Sequence, residues 1–154
     1  MPRKWVSASA MTAIGVAIIA FGVVGYWLVP VSFEVSQSHP EIAFMRAPVL
    51  ALGETSVGIV VTLLVMAEFA LASAARFGGS AKNGPKTLRT MGALAFAGAL
   101  VGIAIAGYTE SVVPGSITNL YVGLYIIVLT AIGAALVFVG RRAREAERLR
   151  RSSS

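Results

Sequence analysis

The residues of this chain that could act as acids, bases or metal ligands are seven carboxylates and a single histidine. Two of the carboxylates, Glu54 and Glu68, lie inside a long apolar stretch that runs from residue 48 to residue 75. On one helix they would lie about 40° apart around the axis and about 21 Å apart along it. They share a face but cannot act as a pair. Since no set of nucleophile, base and acid occurs elsewhere, the sequence predicts no enzyme and no catalytic residue.

Acidic residues inside a membrane segment are costly and by default mark a functional site. Glu54 and Glu68, however, each lie within about two helical turns of an end of their segment. Snorkelling or local water satisfies a carboxylate at that depth. We therefore favour a structural polar contact with a neighbouring helix for both residues. The alternative is that one of them carries a transported proton or ion.

Metal and cofactor sites are not predicted. His39 has Glu34 and Glu41 near it, a set that could hold a metal weakly, but without fixed spacing we interpret these residues as a solvated loop. The stretch GGSAKNGPKT at residues 78–87 resembles a phosphate-binding loop. Pro85 breaks its spacing, and no β-strand precedes it. The chain has no cysteine, so thiolate chemistry is excluded.

The elements that must position these residues are four apolar segments. The chain is 56% hydrophobic and 13% charged, with a mean hydropathy of +0.80. The segments at about 5–29, 48–75, 91–108 and 120–139 approach or exceed the roughly 20 residues that cross a bilayer. The fold class is therefore predicted to be all-α. We expect one four-transmembrane-helix bundle over residues 1–154 in the lipid bilayer, with a basic tail at 140–154.

Basic residues are distributed unevenly between the two sides of this arrangement. Twelve of the thirteen fall on the side of both termini, which predicts cytoplasmic termini and a multi-pass protein of the cell inner membrane. We expect this charge to fix topology rather than to bind nucleic acid. The tail RRAREAERLRR should lie near anionic inner-leaflet lipids. The twelve are Arg3, Lys4, Arg76, Lys82, Lys86, Arg89, Arg141, Arg142, Arg144, Arg148, Arg150 and Arg151.

The stretch HPEIAFMRAPVLALGE at residues 39–54 brings polarity to the mouth of the second segment. Arg46 is the lone cation on the outer side, and its charge could reach headgroups, Glu41 or Glu54. We predict a polar rim of these residues and favour an Arg46–Glu54 ion pair over contact with headgroups. Pro48 suits the first turn of the second helix, and Pro30 is expected to end the first.

Small residues predict where the helices approach each other. Gly98 and Gly102 lie on one face of the third segment, and we favour packing within the bundle over a dimer interface. Ala131 and Ala135 are expected to serve similarly in the fourth segment. A further stripe of Gly15, Gly22 and Gly25 would admit another helix. A larger membrane complex or a homo-oligomer is therefore the expected protein partner.

Residues 39–52, HPEIAFMRAPVLAL, resemble a passage in a bacterial family of small four-span membrane proteins, catalogued as domain of unknown function 2975. The resemblance implies four spans, no known catalytic residues and a regulatory or sensing role. This chain departs from the family where GGSAKNG follows Phe77 and where Glu68 replaces an apolar or neutral residue. The matching residues are Pro40, Glu41, Ile42, Phe44, Arg46 and Pro48.

The function predicted from the sequence is that of a non-enzymatic membrane protein, either a sensing or regulatory protein or an accessory subunit. The alternative is a small proton-coupled transporter that uses Glu54 or Glu68. Small four-span multidrug exporters place their essential carboxylate in the first span. Here that span has none.

Overall fold

The computed structural model describes residues 2–77 and 84–152. All of the described chain is helical apart from short turns, which confirms the all-α fold class. The structure has four long helices, and a short 3₁₀ helix, Pro40–Met45, precedes the second. The four are α1 (Pro2–Ser38), α2 (Arg46–Phe77), α3 (Gly84–Val112) and α4 (Ile117–Ser152). Most of the phosphate-loop-like stretch, residues 78–83, lies outside the described residues.

Each helix contains a stretch that is long and apolar enough to cross a membrane. The stretches are 29 to 35 residues long, and each contains an 18-residue window whose mean hydropathy lies between 1.9 and 2.6. These are the lengths and compositions of a multi-pass membrane protein. The stretches are Ala8–Ser38, Pro40–Ala74, Gly84–Val112 and Ile117–Ala146.

The first helix does not end at Pro30, so that prediction was wrong. α1 contains Pro30 and continues to Ser38. Proline removes one backbone hydrogen bond, the one to the residue four positions earlier. This single loss does not break α1, because α1 packs against α2 both before and after Pro30. The chain reverses only at His39, whose amide donates to the carbonyl of Val35 at 3.0 Å. What was predicted as an outer loop is therefore mostly helix.

α3 joins α4 through a turn at Pro114 and Gly115. Gly115 has a φ of +73°, a conformation that side chains disfavour. Its amide donates to Oε1 of Glu110 at 3.2 Å, and the side-chain amide of Asn119 donates to the other carboxylate oxygen. Glu110 thereby ties the end of α3 to the start of α4.

The four helices pack in a row in chain order. α3 and α4 share the most extensive interface, followed by α1 with α2 and then α2 with α3. In the described parts of the chain, no Cα atom of α1 lies within 8 Å of one in α3 or α4, and the same holds between α2 and α4. The predicted bundle is thus an open one. Its core lies between α2, α3 and α4 and consists of Leu63, Met91, Ala95, Ala99 and Leu129.

Glycines allow α3 and α4 to approach closely. A methyl group added at Gly92 would lie 2.8 Å from Cγ2 of Val137 and 3.2 Å from the carbonyl oxygen of Gly133. One at Gly98 would lie 2.7 Å from Cδ1 of Leu129. Gly102 meets α4 in the same way, its added methyl 2.8 Å from Ile126. These three glycines of α3, Gly92, Gly98 and Gly102, are buried.

The alanines predicted to pack in α4 do not do so. Ala131 and Ala135 are exposed, whereas Gly133 is buried. Two positions along a helix correspond to about 200° around its axis, so these alanines lie on the face opposite Gly133. The residue that meets α3 is therefore the glycine between them.

Gly92→Ala should destabilise the protein by about 1–3 kcal/mol, because the new methyl group meets backbone that cannot move cheaply. Gly107→Ala is the matched control on the same helix, since nothing lies within 4 Å of its added methyl group. The control should be neutral or gain up to about 1 kcal/mol from helix propensity. Thermal unfolding in detergent measures both, and equal effects would contradict the backbone contact.

Candidate functional site

A cavity of about 710 Å³ opens between α1 and α2, at the end of the helices where α1 joins α2 and α3 joins α4. We call it the turn-end cavity. It exists because α1 continues past Pro30 and supplies a wall opposite the start of α2. Its lining residues are Gly25, Tyr26, Val29, Pro30, Phe33, Glu34, Gln37, Arg46 and Glu54.

Arg46 is held against α1. Its guanidinium carbon lies 4.8 Å from the centroid of the Phe33 ring, within the range of a cation–π interaction. Its Nε donates to Oγ of Ser32 at 3.5 Å, and its backbone amide donates to the carbonyl of Ala43. The preceding residue, Met45, is buried. Both the backbone and the side chain of Arg46 are therefore positioned.

Glu54 lies deeper in the turn-end cavity, beside a glycine of α1. Its Oε2 is 3.4 Å from the point where a methyl group at Gly25 would lie, and Cγ1 of Val57 is 3.2 Å from that point. The absent side chain at Gly25 leaves the carboxylate room between the helices. Glu54 is half-buried.

The predicted ion pair between Arg46 and Glu54 is not formed. Among the described residues, a single pair of oppositely charging side chains is in contact: Nδ1 of His39 lies 3.2 Å from Oε1 of Glu41, on the exposed turn. The physical reason is that Glu54 lies two turns down α2 and about 80° around it, while Phe33 lies within reach of the guanidinium. Glu41 accordingly pairs with His39 rather than with Arg46.

Glu68 lies outside the turn-end cavity. It follows Val57 by eleven residues, which returns it to within about 20° of Val57 around α2, on the side that faces α1. It is half-buried. The structure thus brings Arg46 and Glu54 together in one cavity and leaves Glu41 and Glu68 apart from them.

The turn-end cavity is lined by two carboxylates, one arginine, two aromatic rings and one side-chain amide. A half-buried carboxylate without a cationic partner in the described chain attracts positive charge, and the rings of Tyr26 and Phe33 offer faces to a cation. Histidine, serine, cysteine and lysine are absent from the lining residues. Within residues 2–77 and 84–152, no three histidine or acidic side chains form a group that could hold a metal.

Sequence reasoning missed the α1 wall of this cavity. Tyr26, Pro30, Phe33 and Gln37 follow the spacing i, i+4, i+7 and i+11, which marks one face of a helix. That signal was present in the sequence, but it is visible only if the helix is allowed to continue through the proline.

Comparison with protein-family models, with curated proteins and with solved structures finds no match for this chain. The resemblance of residues 39–52 to the domain of unknown function 2975 family therefore stays a prediction. Interpretation of the site rests on its geometry.

A pair of double-mutant cycles tests how Arg46 is held. Arg46→Gln and Glu54→Gln should have additive effects on stability, to within about 0.5 kcal/mol, because the two side chains do not interact. Arg46→Gln and Phe33→Leu should instead couple by about 1 kcal/mol. Chemical or thermal unfolding in detergent gives both coupling energies. Strong coupling between Arg46 and Glu54, with none to Phe33, would show that the ion pair forms after all.

Proposed function

We propose that this chain is a non-enzymatic protein of the cell inner membrane with a sensing or regulatory role, acting alone or as an accessory subunit. The observation that carries the proposal is the turn-end cavity, where the half-buried carboxylate of Glu54 and the rings of Tyr26 and Phe33 offer contacts to a ligand. Four helices of membrane-spanning length and composition support the membrane location. The resemblance to the domain of unknown function 2975 family, itself a proposal, agrees with a regulatory or sensing role.

The class of ligand that best suits the turn-end cavity is a small amphipathic organic cation. The volume of the cavity, about 710 Å³, lies in the range of small-molecule pockets, about 300–1,000 Å³. Glu54 supplies the charge that such a ligand needs. Tyr26 is 78% exposed and supplies an aromatic face. Arg46 keeps its positive charge beside Phe33, but the two carboxylates that line the cavity, Glu34 and Glu54, outnumber it.

A second candidate function is a small proton-coupled transporter. The observation in its favour is that Glu54 is a half-buried carboxylate on a cavity wall. Transport by alternating access needs a site that can open to either side of the membrane. The turn-end cavity lies at one end of α1 and α2, and Glu68 lies about 21 Å further along the helix. We therefore favour sensing over transport.

Partners follow from the surface that the helices leave uncovered. Methyl groups added at Gly15 and Gly22 of α1 would meet nothing within 4 Å. A small-residue surface of this kind admits a close helix from another chain. A larger membrane complex, or a second copy of this chain, is thus part of the proposal, as is contact between the basic tail and anionic lipids of the inner leaflet.

Cation binding is tested with tetraphenylphosphonium as the probe and the purified full chain in detergent. We expect saturable binding that Glu54→Gln weakens by about tenfold, the effect of about 1.4 kcal/mol. Glu68→Gln is the matched control and should leave binding unchanged. Absence of saturable binding to the wild type would overturn the cation-sensing proposal.

The same variants in proteoliposomes separate sensing from transport. If the protein is a sensor, the proteoliposomes should not accumulate tetraphenylphosphonium when a pH gradient is imposed. Gradient-driven accumulation by the wild type, lost in Glu54→Gln or Glu68→Gln, would establish the transporter instead.

Topology is tested with reporter fusions at Ser154 and in the turn at His39. The positive-inside rule predicts a cytoplasmic reporter at Ser154 and an external one at His39, because twelve of thirteen basic residues lie on the side of the termini. An enzyme reporter that is active only outside the cytoplasm should therefore work at His39 alone. Activity at Ser154 would reverse the assignment.

A further inference from the structure

A second concave site lies between α3 and α4, at the end of the helices opposite the turn-end cavity. We propose that this groove binds one anionic phospholipid, with its phosphate among three arginines and an acyl chain along the apolar part. The groove has a volume of about 370 Å³. It is lined by Pro85, Arg89, Ala93, Phe96, Val137, Gly140, Arg141 and Arg144.

The groove arises from the close approach of the two helices. Gly140 has no side chain, and a methyl group there would lie 3.5 Å from Cβ of Leu88 and 3.6 Å from the carbonyl oxygen of Pro85. Gly133 lies about two turns deeper. A methyl group added there would lie 3.3 Å from the ring of Phe96. The helices are thus near enough for arginines from both to face one small space.

Polarity changes in order along the groove. On α3, Arg89, Ala93 and Phe96 follow the spacing i, i+4 and i+7, so they share one face. The distance from Arg89 to Phe96 along the axis is about 10 Å. The arginines therefore lie at one end of the groove, and Ala93, Phe96 and Val137 lie closer to the chain reversal between α3 and α4. A phospholipid presents its own charge and its acyl chain in this same order.

Charge favours an anion in the groove. Arg89, Arg141 and Arg144 are exposed, and in the described part of the chain none forms an ion pair with a carboxylate. Three cations that face one small space repel each other until an anion neutralises them. The guanidinium group presents a planar fork of donors that matches phosphate oxygens. A phosphate with net negative charge is therefore the preferred headgroup.

The apolar wall favours a lipid over a soluble phosphate. Phe96 is 38% exposed, and with Ala93 and Val137 it would remain in contact with solvent or lipid if only an ion were bound. Basic pockets between membrane helices on the cytoplasmic side are known binding positions for anionic headgroups. The proposal requires only that the helices span the membrane and does not depend on the turn-end cavity.

Native mass spectrometry of the full chain in detergent tests the proposal, with phosphatidylglycerol and phosphatidylcholine as the probes. The wild type should bind a first phosphatidylglycerol about tenfold more tightly than phosphatidylcholine. Arg141→Gln and Arg144→Gln should each weaken phosphatidylglycerol binding by roughly fivefold, the effect of about 1 kcal/mol per arginine. Arg89→Gln, on the other helix, should do the same.

Arg142 provides the matched control. It carries the same charge next to Arg141, but its guanidinium lies 4.8 Å from the centroid of the Phe138 ring and it does not line the groove. Arg142→Gln should change binding by no more than about twofold. Equal losses in Arg142→Gln and Arg141→Gln would mean attraction to the surface as a whole and would overturn the site.

Two further measurements separate a lipid from a free phosphate. Ala93→Leu fills the apolar part without a change of charge and should also abolish the preference for phosphatidylglycerol. Glycerol 1-phosphate should compete poorly, because it lacks the acyl chain. An Ala93→Leu protein that binds normally, or displacement of the lipid by glycerol 1-phosphate at matched concentration, would overturn the proposal. Thermal unfolding confirms that each variant is folded.

Discussion

Much of this structure depends on the close approach of α3 and α4 at Gly92 and Gly133. The two backbones can come this near because neither residue has a side chain. Lipid tails are as apolar as leucine, so helices in a bilayer associate through close packing rather than through burial from water. An alanine at Gly92 would lie 3.2 Å from the carbonyl of Gly133, which shows how little space is left. From this proximity follow the tight core around Ala95 and the groove in which arginines of both helices meet.

The pair of α1 and α2 is built on a different principle. Its small residues are used at one end only: Gly25 meets Val57 and Glu54, whereas Gly15 and Gly22 meet nothing within 4 Å. At the other reversal, a single carboxylate, that of Glu110, closes the turn between α3 and α4. The two helix pairs thus differ in how much of their surface is already satisfied. The pair with more open surface is also the pair that holds the turn-end cavity, where a ligand or a further helix has room.

The fold was predictable because four long apolar segments leave few alternatives, whereas details that depend on neighbours were not. Hydropathy indicates which residues tolerate lipid but not where a helix ends. The polar stretch after Pro30 therefore predicts a loop, whereas the structure has a helix there. The choice of Arg46 between Glu54 and Phe33 is made by α1, which the local sequence of α2 cannot reveal. In α4, Ala131, Gly133 and Ala135 are all small residues, and only the packing against α3 determines which of them faces inward.

The row of helices gives α2 a specific role in any sensing mechanism. α2 is the connection between the pair that forms the turn-end cavity and the pair that forms the arginine groove. Glu54 lines the cavity, and five residues later Cγ2 of Ile59 lies 3.0 Å from the point where a methyl group at Gly98 would be. A packed contact of this kind resists gradual deformation. A movement of α2 at Glu54 that extended to Ile59 would change the contact between Ile59 and Gly98, where α3 also meets α4.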